Sequence, residues 1–340
     1  MGDTGGARVL IIGGSGFVSG TLARAAVAKR HQVWALTRGQ RPLPAGVQGL
    51  VADRHDSAAM AQAIVAAGDG PWDLVVDTQG FEAADARQDV ALFRERARQL
   101  VFISSDFVFD PARRRFPQPE ETHFYLQGLY GGKKRECELE LLQGNTGQLR
   151  WTIVRPCHIY GPGSQLGCLP RHGRDPRLIA RLRAGEPLQL VGGGHFLQQP
   201  IFAPDLAEII LSALGNEAAY GEIFCTAGPD IVESRRYYAI IAELLGVDLK
   251  VEEILIDAYR AAHPEDISFL CHRIYSLDKL RSHGLHVPAT PIEVGLRLHV
   301  ESLAGSAPRW AQRCGRGWKW GATRSWRRSW MCTRTSSAST

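Results

Sequence analysis

Short apolar strands alternate with helical segments through the first half of this chain. The predicted strands are RVLIIG, QVWALTR, VQGLVAD, DLVVDT, LVFISS and WTIVRP, and the predicted helices cover residues 17–29, 57–67, 85–98 and 129–142. Strands separated by helices need crossover connections, which make the strands parallel and place helices on both faces of the sheet. The sequence therefore predicts an α/β fold built on a doubly wound parallel sheet.

A glycine-rich turn, VLIIGGSGFVSG, joins the first predicted strand to the first predicted helix. Glycines at 13 and 16 permit a tight turn whose backbone N–H groups, together with the helix N-terminus, favour a pyrophosphate. The turn predicts a dinucleotide site with Gly13, Ser15, Gly16, Phe17 and Val18 as contacts; the alternative is a turn that binds no ligand. Ser19 stands where a third glycine is expected, so we expect a weakened site that still functions.

The end of the second strand bears on which dinucleotide is bound. A carboxylate there holds the adenosine ribose of NAD, whereas an arginine accommodates the 2′-phosphate of NADP. This strand ends ALTRGQR, with Thr37 at the acidic position, Arg38 next and Arg41 close by. The pattern favours NADP over NAD as the cofactor, unless Arg38 is simply a solvated loop cation.

The segment YGGKK places Tyr130 and Lys134 four residues apart on a predicted helix, and therefore on one face. A tyrosine is a poor acid–base group unless a cation lowers its pKa, and Lys134 is placed to do so. Ser105, at the end of LVFISS, adds a hydroxyl able to bond a substrate oxygen. The three residues predict a hydride-transfer site, although a solvated helix face would also explain Tyr130 and Lys134.

These features, in this order and spacing, resemble the extended and atypical short-chain dehydrogenase/reductase superfamily, which includes the NAD-dependent epimerases and dehydratases. The likeness continues in VRPCHIYGPG and in QPIFAPDLAEIIL, and covers residues 7–303. It implies a Rossmann-type fold in which Ser105, Tyr130 and Lys134 are catalytic, with Tyr130 as the acid–base. It also implies cofactor contacts, namely Asp53 at the adenine, Thr78, Gly80 and Lys134 along the dinucleotide, and Pro156 and His158 beside the nicotinamide.

The segment SSDFVFD limits which reactions of the superfamily this chain is expected to catalyse. Sugar-nucleotide dehydratases of the superfamily carry an Asp–Glu pair after the serine or threonine, whereas here Asp106 is followed by Phe107. Elimination without its base is disfavoured, and the segment resembles that of dTDP-4-dehydrorhamnose reductases. The prediction is an NAD(P)-dependent epimerase or reductase acting on a nucleotide sugar or a similar polar hydroxy or keto compound. Asp106, Arg177 and Arg181 are the predicted substrate contacts; a turn cap and a basic surface helix are the alternatives.

The chain also resembles a second branch of the superfamily, which predicts a different function. The segments LTRG and DRHD look like the atypical branch that includes chloroplast stem-loop RNA-binding proteins, some of which bind RNA or act as sensors. The alternative function is thus a non-catalytic dinucleotide sensor or RNA-binding protein. The joint presence of Ser105, Tyr130 and Lys134 favours the enzyme.

The rhythm of strands and helices changes after Pro156, where a glycine- and proline-rich loop leads to a basic helix over 177–184. A helix over 205–214 is expected to pack back on the sheet. We predict an NAD(P)-binding domain over 7–156 with returning segments near 200–215, a mainly substrate-binding lobe over 157–303, and a disordered tail over 304–340.

Composition limits the remaining functions. The net charge of +5 includes eight basic residues after Glu301, which leaves a slightly acidic body and argues against a nucleic-acid cradle. The basic, tryptophan-rich tail is either an arm for nucleic acid or membrane, or an extension unrelated to the fold; the second is favoured. The cysteines are scattered and no apolar run is long enough for a membrane helix, so we predict a cytoplasmic protein. The histidines and cysteines lack metal-ligand spacing, so we predict no metal. A small-molecule substrate is expected, and a homodimer is an expectation from the family.

Overall fold

The computed structural model describes residues 6–68 and 70–304 of the 340, so the predicted tail lies outside the described residues except for its first position. The strands are β1 (Arg8–Ile12), β2 (Gln32–Thr37), β3 (Val47–Val51), β4 (Leu74–Asp77), β5 (Gln99–Ile103), β6 (Arg150–Pro156), β7 (Ile159–Tyr160), β8 (Leu188–Val191), β9 (Leu197–Gln198), β10 (Ile201–Phe202), β11 (Glu222–Thr226), β12 (Val232–Glu233) and β13 (Val251–Ile254). The helices are α1 (Phe17–Ala28), α2 (Ser57–Ala66), α3 (Ala83–Phe93), α4 (Leu129–Gln143), α5 (Leu178–Arg183), α6 (Ala203–Ser212), α7 (Ser234–Leu245), α8 (Ile256–Ala262), α9 (Asp278–Ser282) and α10 (Ile292–Leu303).

Seven strands form one parallel sheet in the order β11-β6-β5-β4-β1-β2-β3. The chain runs outward from β1 to β3, crosses back through α2 and resumes at β4 on the other side of β1. Ligands of such sheets bind in the crevice beyond the carboxyl ends of the strands, where the strand order reverses. The predicted doubly wound α/β fold is confirmed, and its reversal point lies between β1 and β4.

Successive residues of β1 enter two different cores. Val9 and Ile11 pack in the core that contains α1 and α6, whereas Leu10 and Ile12 pack in the opposite core with Trp34. Because side chains alternate across a strand, a strand covered on both faces reads as one continuous apolar run. This explains why RVLII is apolar throughout.

The strand β11 was not foreseen. It follows a short 3-10 turn, Glu217–Ala219, and pairs with β6 at the edge of the sheet. Its sequence, EIFCT, is short and mixed, so its position depends on pairing with distant β6 and not on local pattern. The predicted helix over 85–98 was also misplaced, since α3 ends at Phe93 and Ala97 instead forms a β-bridge with Trp72.

Three two-stranded ladders, β7 with β10, β8 with β13 and β9 with β12, lie outside the main sheet. A third core forms between α5, α7 and α10, with Tyr160, Tyr237 and Leu296 among its buried residues. The predicted division of residues 157–303 into a substrate lobe stays a prediction. Of the helices in the described ranges, none has the length and apolar character needed to cross a membrane.

Candidate active site at the carboxyl ends of the strands

The glycine-rich turn follows β1 and leads into α1. Gly13 and Gly14 adopt φ values of +111° and +118°, which only glycine adopts without strain. Ser19 is buried, and its Oγ accepts the N–H of Gly16 at 3.1 Å. Ser19, which stands where a third glycine was expected, thus caps the start of α1. The serine is compatible with the turn, but its Oγ occupies the N–H group of Gly16.

Gly13→Ala should disrupt this turn. A Cβ on Gly13 would lie 2.5 Å from Oγ1 of Thr78, which itself donates to the Ile12 carbonyl at 2.7 Å. We expect the free energy of unfolding in urea to fall by about 1–3 kcal/mol. Gly16→Ala is the matched control, because Gly16 has φ −88° and a Cβ there would meet only Ser19 Oγ, at 3.2 Å. Equal losses in the two variants would contradict this explanation.

A cleft of about 380 Å³ opens between the turn, the end of β2 and the loop after β3. Five predicted cofactor residues line it: Gly13, Ser15, Gly16, Arg38 and Asp53. The predicted contacts outside its lining are Phe17, Val18, Thr78, Gly80, Lys134, Pro156 and His158. The lining also includes Thr37, Arg41, Arg54, Gln79 and Phe81, of which Arg54, Gln79 and Phe81 had no predicted role.

Arg54 forms the buried floor of this cleft. Its guanidinium donates to Asp77 at 2.8 Å and to Asp89 at 2.6 Å, and its Nε lies 3.5 Å from Asp85. Burial acts to raise the pKa of each carboxyl group. At Asp89 the charge of Asp77 adds to this effect, so the pKa of Asp89 is raised. At Asp77 the attraction of Arg54 outweighs burial, so its pKa is lowered. Asp77 is therefore the ionised partner of Arg54, and Asp89 holds a proton more readily.

The structure brings Ser105, Tyr130 and Lys134 to one place, beyond the end of β5 and on the first turns of α4. Lys134 is buried, and its Nζ donates to the carbonyls of Gly80 and Ile103, both at 2.6 Å. Burial lowers the pKa of Lys134, although Asp77 opposes this. The lysine therefore fastens α4 to the ends of β4 and β5.

The pKa of Tyr130 differs from the one that the sequence predicted. The pKa of its phenol is raised, mainly because the protein around the hydroxyl disfavours the phenolate, although 46% of the residue is exposed; the nearby Ser105 hydroxyl acts in the opposite direction. The expected lowering by Lys134 was wrong for this structure, since the Lys134 ammonium is bonded to two carbonyl oxygens. Tyr130 is thus a protonated phenol at neutral pH.

A glycine allows α4 to approach the serine. A Cβ on Gly131 would collide with the carbonyl oxygen of Phe107, in the 3-10 turn (Asp106–Val108) that Ser105 caps. Gly131 therefore lets the helix carrying Tyr130 rest against the segment carrying Ser105. The first glycine of YGGKK serves this close contact, whereas Gly132 faces the backbone of Leu126 and Gln127.

Glu138, one turn beyond Lys134, links α4 to the ends of β5 and β6. Its carboxylate accepts from Ser104 Oγ at 2.6 Å, from Arg155 at 2.8 and 2.7 Å, and from Arg135 at 2.8 Å. Ser104 precedes Ser105, and Arg155 is the next-to-last residue of β6. Glu138 and Arg155 are both fully buried. Sequence reasoning missed this network, because Ser104 and Arg155 are 34 and 17 residues away from Glu138 in the chain.

The predicted substrate contacts are placed differently from expectation. Asp106 is 1% exposed, and its carboxylate accepts from Arg273 at 2.8 Å and from Tyr275 at 2.7 Å, so it is occupied by internal bonds. Arg177 lies exposed at the start of α5, and Arg181 faces Asp175 at 3.7 Å. None of these arginines is among the groups that influence Tyr130.

Arg174, in the loop before α5, lies closer to the candidate site than those arginines were found to lie. Its charge acts on both Tyr130 and His158, and its guanidinium lies 5.9 Å from the ring centre of Phe17. Burial and then Arg174 lower the pKa of His158 to about 4, so this histidine is neutral. The only sequence signal for Arg174 was the basic character of its loop.

The remaining predicted contacts lie along the strand ends. Gly80 follows β4 and offers its carbonyl to Lys134. Pro156 ends β6, where it pairs with Thr226 of β11. His158 follows, with its ring 6.4 Å from that of Tyr237. All three lie at the carboxyl edge of the sheet, on the side of β1 away from Arg38 and Arg41, which follow β2.

A single candidate metal group occurs among residues 6–68 and 70–304, namely His263, Glu265 and Asp266. It is largely exposed, and Asp266 already accepts a hydrogen bond from Tyr259 at 2.6 Å. Exposed groups of this kind are common without an ion. The absence of a metal stays a prediction.

The family model of the NAD-dependent epimerase/dehydratase family matches residues 9–225. The chain belongs to this family. The resemblance to the extended short-chain dehydrogenases is thereby confirmed, and an NAD(P)-dependent epimerase or oxidoreductase is confirmed at the level of the family.

Two curated relatives illustrate the range of the family. The chain is 30% identical, over 66% of its length, to the chloroplast stem-loop binding protein of 41 kDa b of Arabidopsis thaliana, of which the match spans 60%. It is 28% identical to the 2′-dehydrokanamycin reductase of Streptomyces kanamyceticus, over 77% of this chain and 73% of that one. The same family thus includes a protein named for binding a stem-loop and one named for a reduction.

Solved structures agree with the fold. A UDP-glucose 4-epimerase of Thermotoga maritima, with UDP-glucose, superposes with a TM-score of 0.71 at 17% identity, covering 87% of this chain and 98% of that one. An epimerase of Methanothermobacter thermautotrophicus gives 0.73 at 17% identity, covering 88% and 92%. At these identities the likeness concerns the fold.

Proposed function

We propose that this protein is an NADP(H)-dependent reductase that converts a ketone to an alcohol at Ser105, Tyr130 and Lys134. The observation that carries the proposal is the arrangement at the carboxyl end of β5. There a protonated Tyr130 lies close enough to Ser105 for its pKa to respond to that hydroxyl, and one helical turn before the buried Lys134. The arrangement supplies an acid next to a second hydroxyl beside a nucleotide-sized cleft.

Each side chain of the proposed site has a separate role in the reduction. Ser105 holds the carbonyl oxygen of the substrate, and Tyr130 donates its phenolic proton to that oxygen as the alcohol forms. Lys134 holds the helix that carries Tyr130 to the strand ends. Arg174, whose charge lowers the pKa of Tyr130, stabilises the phenolate that forms. The dinucleotide, when bound, supplies the hydride. A raised pKa at Tyr130 suits this direction, because reduction starts from the protonated phenol.

The cleft fits a dinucleotide. Gly13 and Gly14 leave the turn without side chains where a Cβ would strike Thr78 and Ala35, so backbone N–H groups can approach a pyrophosphate. Arg38 and Arg41 line the adenosine end, where Thr37 replaces a carboxylate. These residues support NADP over NAD, with Asp53 placed to contact the adenine.

Arg38→Ala tests the cofactor assignment. Loss of a guanidinium that pairs with the 2′-phosphate should raise the KM for NADPH about 10-fold or more while changing the KM for NADH less than about twofold. Arg30→Ala, at an exposed arginine before β2, is the control. Equal effects on the two dinucleotides would contradict the preference for NADP.

Epimerisation of a nucleotide sugar is the second candidate. It is supported by Arg174, a cation near Tyr130 able to meet a diphosphate, and by fold neighbours crystallised with UDP-glucose. An epimerase retains NAD and returns the hydride, whereas a reductase exchanges NADPH. Mass spectrometry of the nucleotide retained on purification, followed by an NADPH-oxidation assay with carbonyl compounds, separates the two.

The sensor or RNA-binding alternative is supported by the 30% identity with the stem-loop binding protein. Thermal stabilisation by NADPH without oxidation in the presence of any carbonyl compound would favour it. Absence of stabilisation by either dinucleotide would contradict both the enzyme and the sensor. A homodimer remains an expectation from the family, and a cytoplasmic location remains an expectation from the composition.

A further inference from the structure

Four aromatic rings form a continuous surface at the catalytic tyrosine. The ring of Tyr130 lies 6.3 Å from Phe81 and 6.0 Å from Phe107, and Phe107 lies 5.4 Å from Phe269. The four come from separate segments: the loop after β4, the start of α4, the 3-10 turn after β5 and the 3-10 turn Pro264–Phe269. We call this set the aromatic array.

The array is open to solvent. Phe81 is 45% exposed and Tyr130 is 46% exposed, while Phe107 and Phe269 are half-buried. The rings are therefore not completing the protein core. Aromatic side chains held partly exposed around a functional hydroxyl are typical of a ligand-binding surface.

Two charged groups beside the array, Arg273 and Lys134, are already bonded within the protein, whereas Arg174 acts on Tyr130. Arg273 lies over the Phe107 ring at 4.7 Å, but its guanidinium donates to Asp106 at 2.8 Å and to the Ser268 carbonyl at 2.6 Å. Lys134 lies 5.1 Å from the Phe81 ring and is bonded to two carbonyl oxygens. Arg174 lies over Phe17, which is not a member of the array.

We propose that the array binds a flat apolar substituent of the ketone substrate and so selects aryl or similarly apolar ketones over nucleotide sugars. Apolar rings gain both area burial and edge-to-face contacts on such a surface. A sugar, whose surface is mostly hydroxyl groups, would gain less from covering these rings than an apolar substituent would. This inference rests on the proposed reductase function, since it assigns the substrate of the same tyrosine.

The experiment compares two ketones with the same reacting group, benzylacetone and butanone, in NADPH oxidation by the full chain. The ratio of their kcat/KM values should be about 10–100 in favour of benzylacetone. Phe269→Ala should lower this ratio about 3–10-fold. Phe124→Ala is the control, because Phe124 is 42% exposed and contacts Arg113 instead of the array; its ratio should stay within about twofold of the original protein.

Binding is measured independently of turnover, by saturation-transfer NMR of benzylacetone with the protein in NADP⁺. A signal that weakens in Phe269→Ala and not in Phe124→Ala supports the array even if no carbonyl compound is reduced, an outcome that would reject only the proposed reaction. A ratio near one, an unchanged ratio in Phe269→Ala, or preferred turnover of a UDP-linked keto sugar would overturn the inference. If the ratio of kcat/KM values is unchanged in Phe269→Ala but the sedimentation coefficient of that variant differs from that of the original protein, the inference is also overturned. The array would then be a contact between two copies of the chain.

Discussion

Tyr130→Phe should lower kcat for ketone reduction by about 10²–10⁴-fold, because it removes the proton donor while keeping the ring. The pKa of Tyr130 is raised by burial, so the phenol stays protonated through neutral pH. We therefore expect the rate of the original protein to stay level through neutral pH and to fall only above the ordinary tyrosine pKa of about 10. Steady-state NADPH oxidation across this pH range measures both effects.

Cofactor binding separates a chemical role from a structural one. The Kd for NADPH, measured by fluorescence, should change less than about threefold in Tyr130→Phe, since the cleft lining does not include Tyr130. Tyr125→Phe is the matched control, because Tyr125 stacks on Phe109 at 6.3 Å and lies outside the triad. Full activity in Tyr130→Phe, or an equal loss in Tyr125→Phe, would show that the acid has been assigned wrongly.

Glu138→Ala should lower the free energy of unfolding by about 3–5 kcal/mol, because it leaves the fully buried Arg155 charge without its partner. The same carboxylate fastens Ser104, next to Ser105, to the helix that carries Tyr130 and Lys134. We therefore also expect reduced kcat in whatever fraction stays folded. Urea unfolding at neutral pH measures the stability.

A control lies on the same helix. Glu140 pairs with the exposed Arg87, so Glu140→Ala should cost less than about 1 kcal/mol. Comparable losses at the two positions would contradict the importance of the buried network.

The pH dependence of the Glu138 contribution follows from its pKa. Burial alone would raise the pKa of Glu138, but Arg155 and the hydrogen bonds of Ser104 and Arg135 outweigh it, so the pKa is lowered. The stabilisation is present above the pKa of an unfolded glutamate and is lost as pH falls through the lower folded value. The difference between Glu138→Ala and the original protein should therefore shrink in acid.

Local patterns were sufficient for much of this molecule. The glycine-rich turn between strand and helix predicted Gly13 and Gly16 at the cleft, because the turn depends on residues adjacent in sequence. The four-residue spacing placed Tyr130 and Lys134 on one helix, and the strand end placed Ser105 beside them. Each of these inferences needs only the period of a helix or the end of a strand.

Long-range contacts account for what sequence reasoning missed. Arg54 with Asp77 and Asp89, and Glu138 with Arg155, become partners only when strands and helices pack. Asp106 was expected at the substrate, but Arg273 and Tyr275, more than 160 residues away in the chain, bind its carboxylate. The raised pKa of Tyr130 likewise reflects burial, which depends on the assembled site.

The sequence by itself determined the parallel sheet, the dinucleotide turn and the three polar residues at the predicted reaction centre, since strand, turn and helix signals are local. The tertiary structure alone decided which charges neutralise one another and which rings surround Tyr130. Electrostatic partners and aromatic contacts depend on distance in space, and neither helical nor strand periodicity encodes the distance between Phe107 and Phe269.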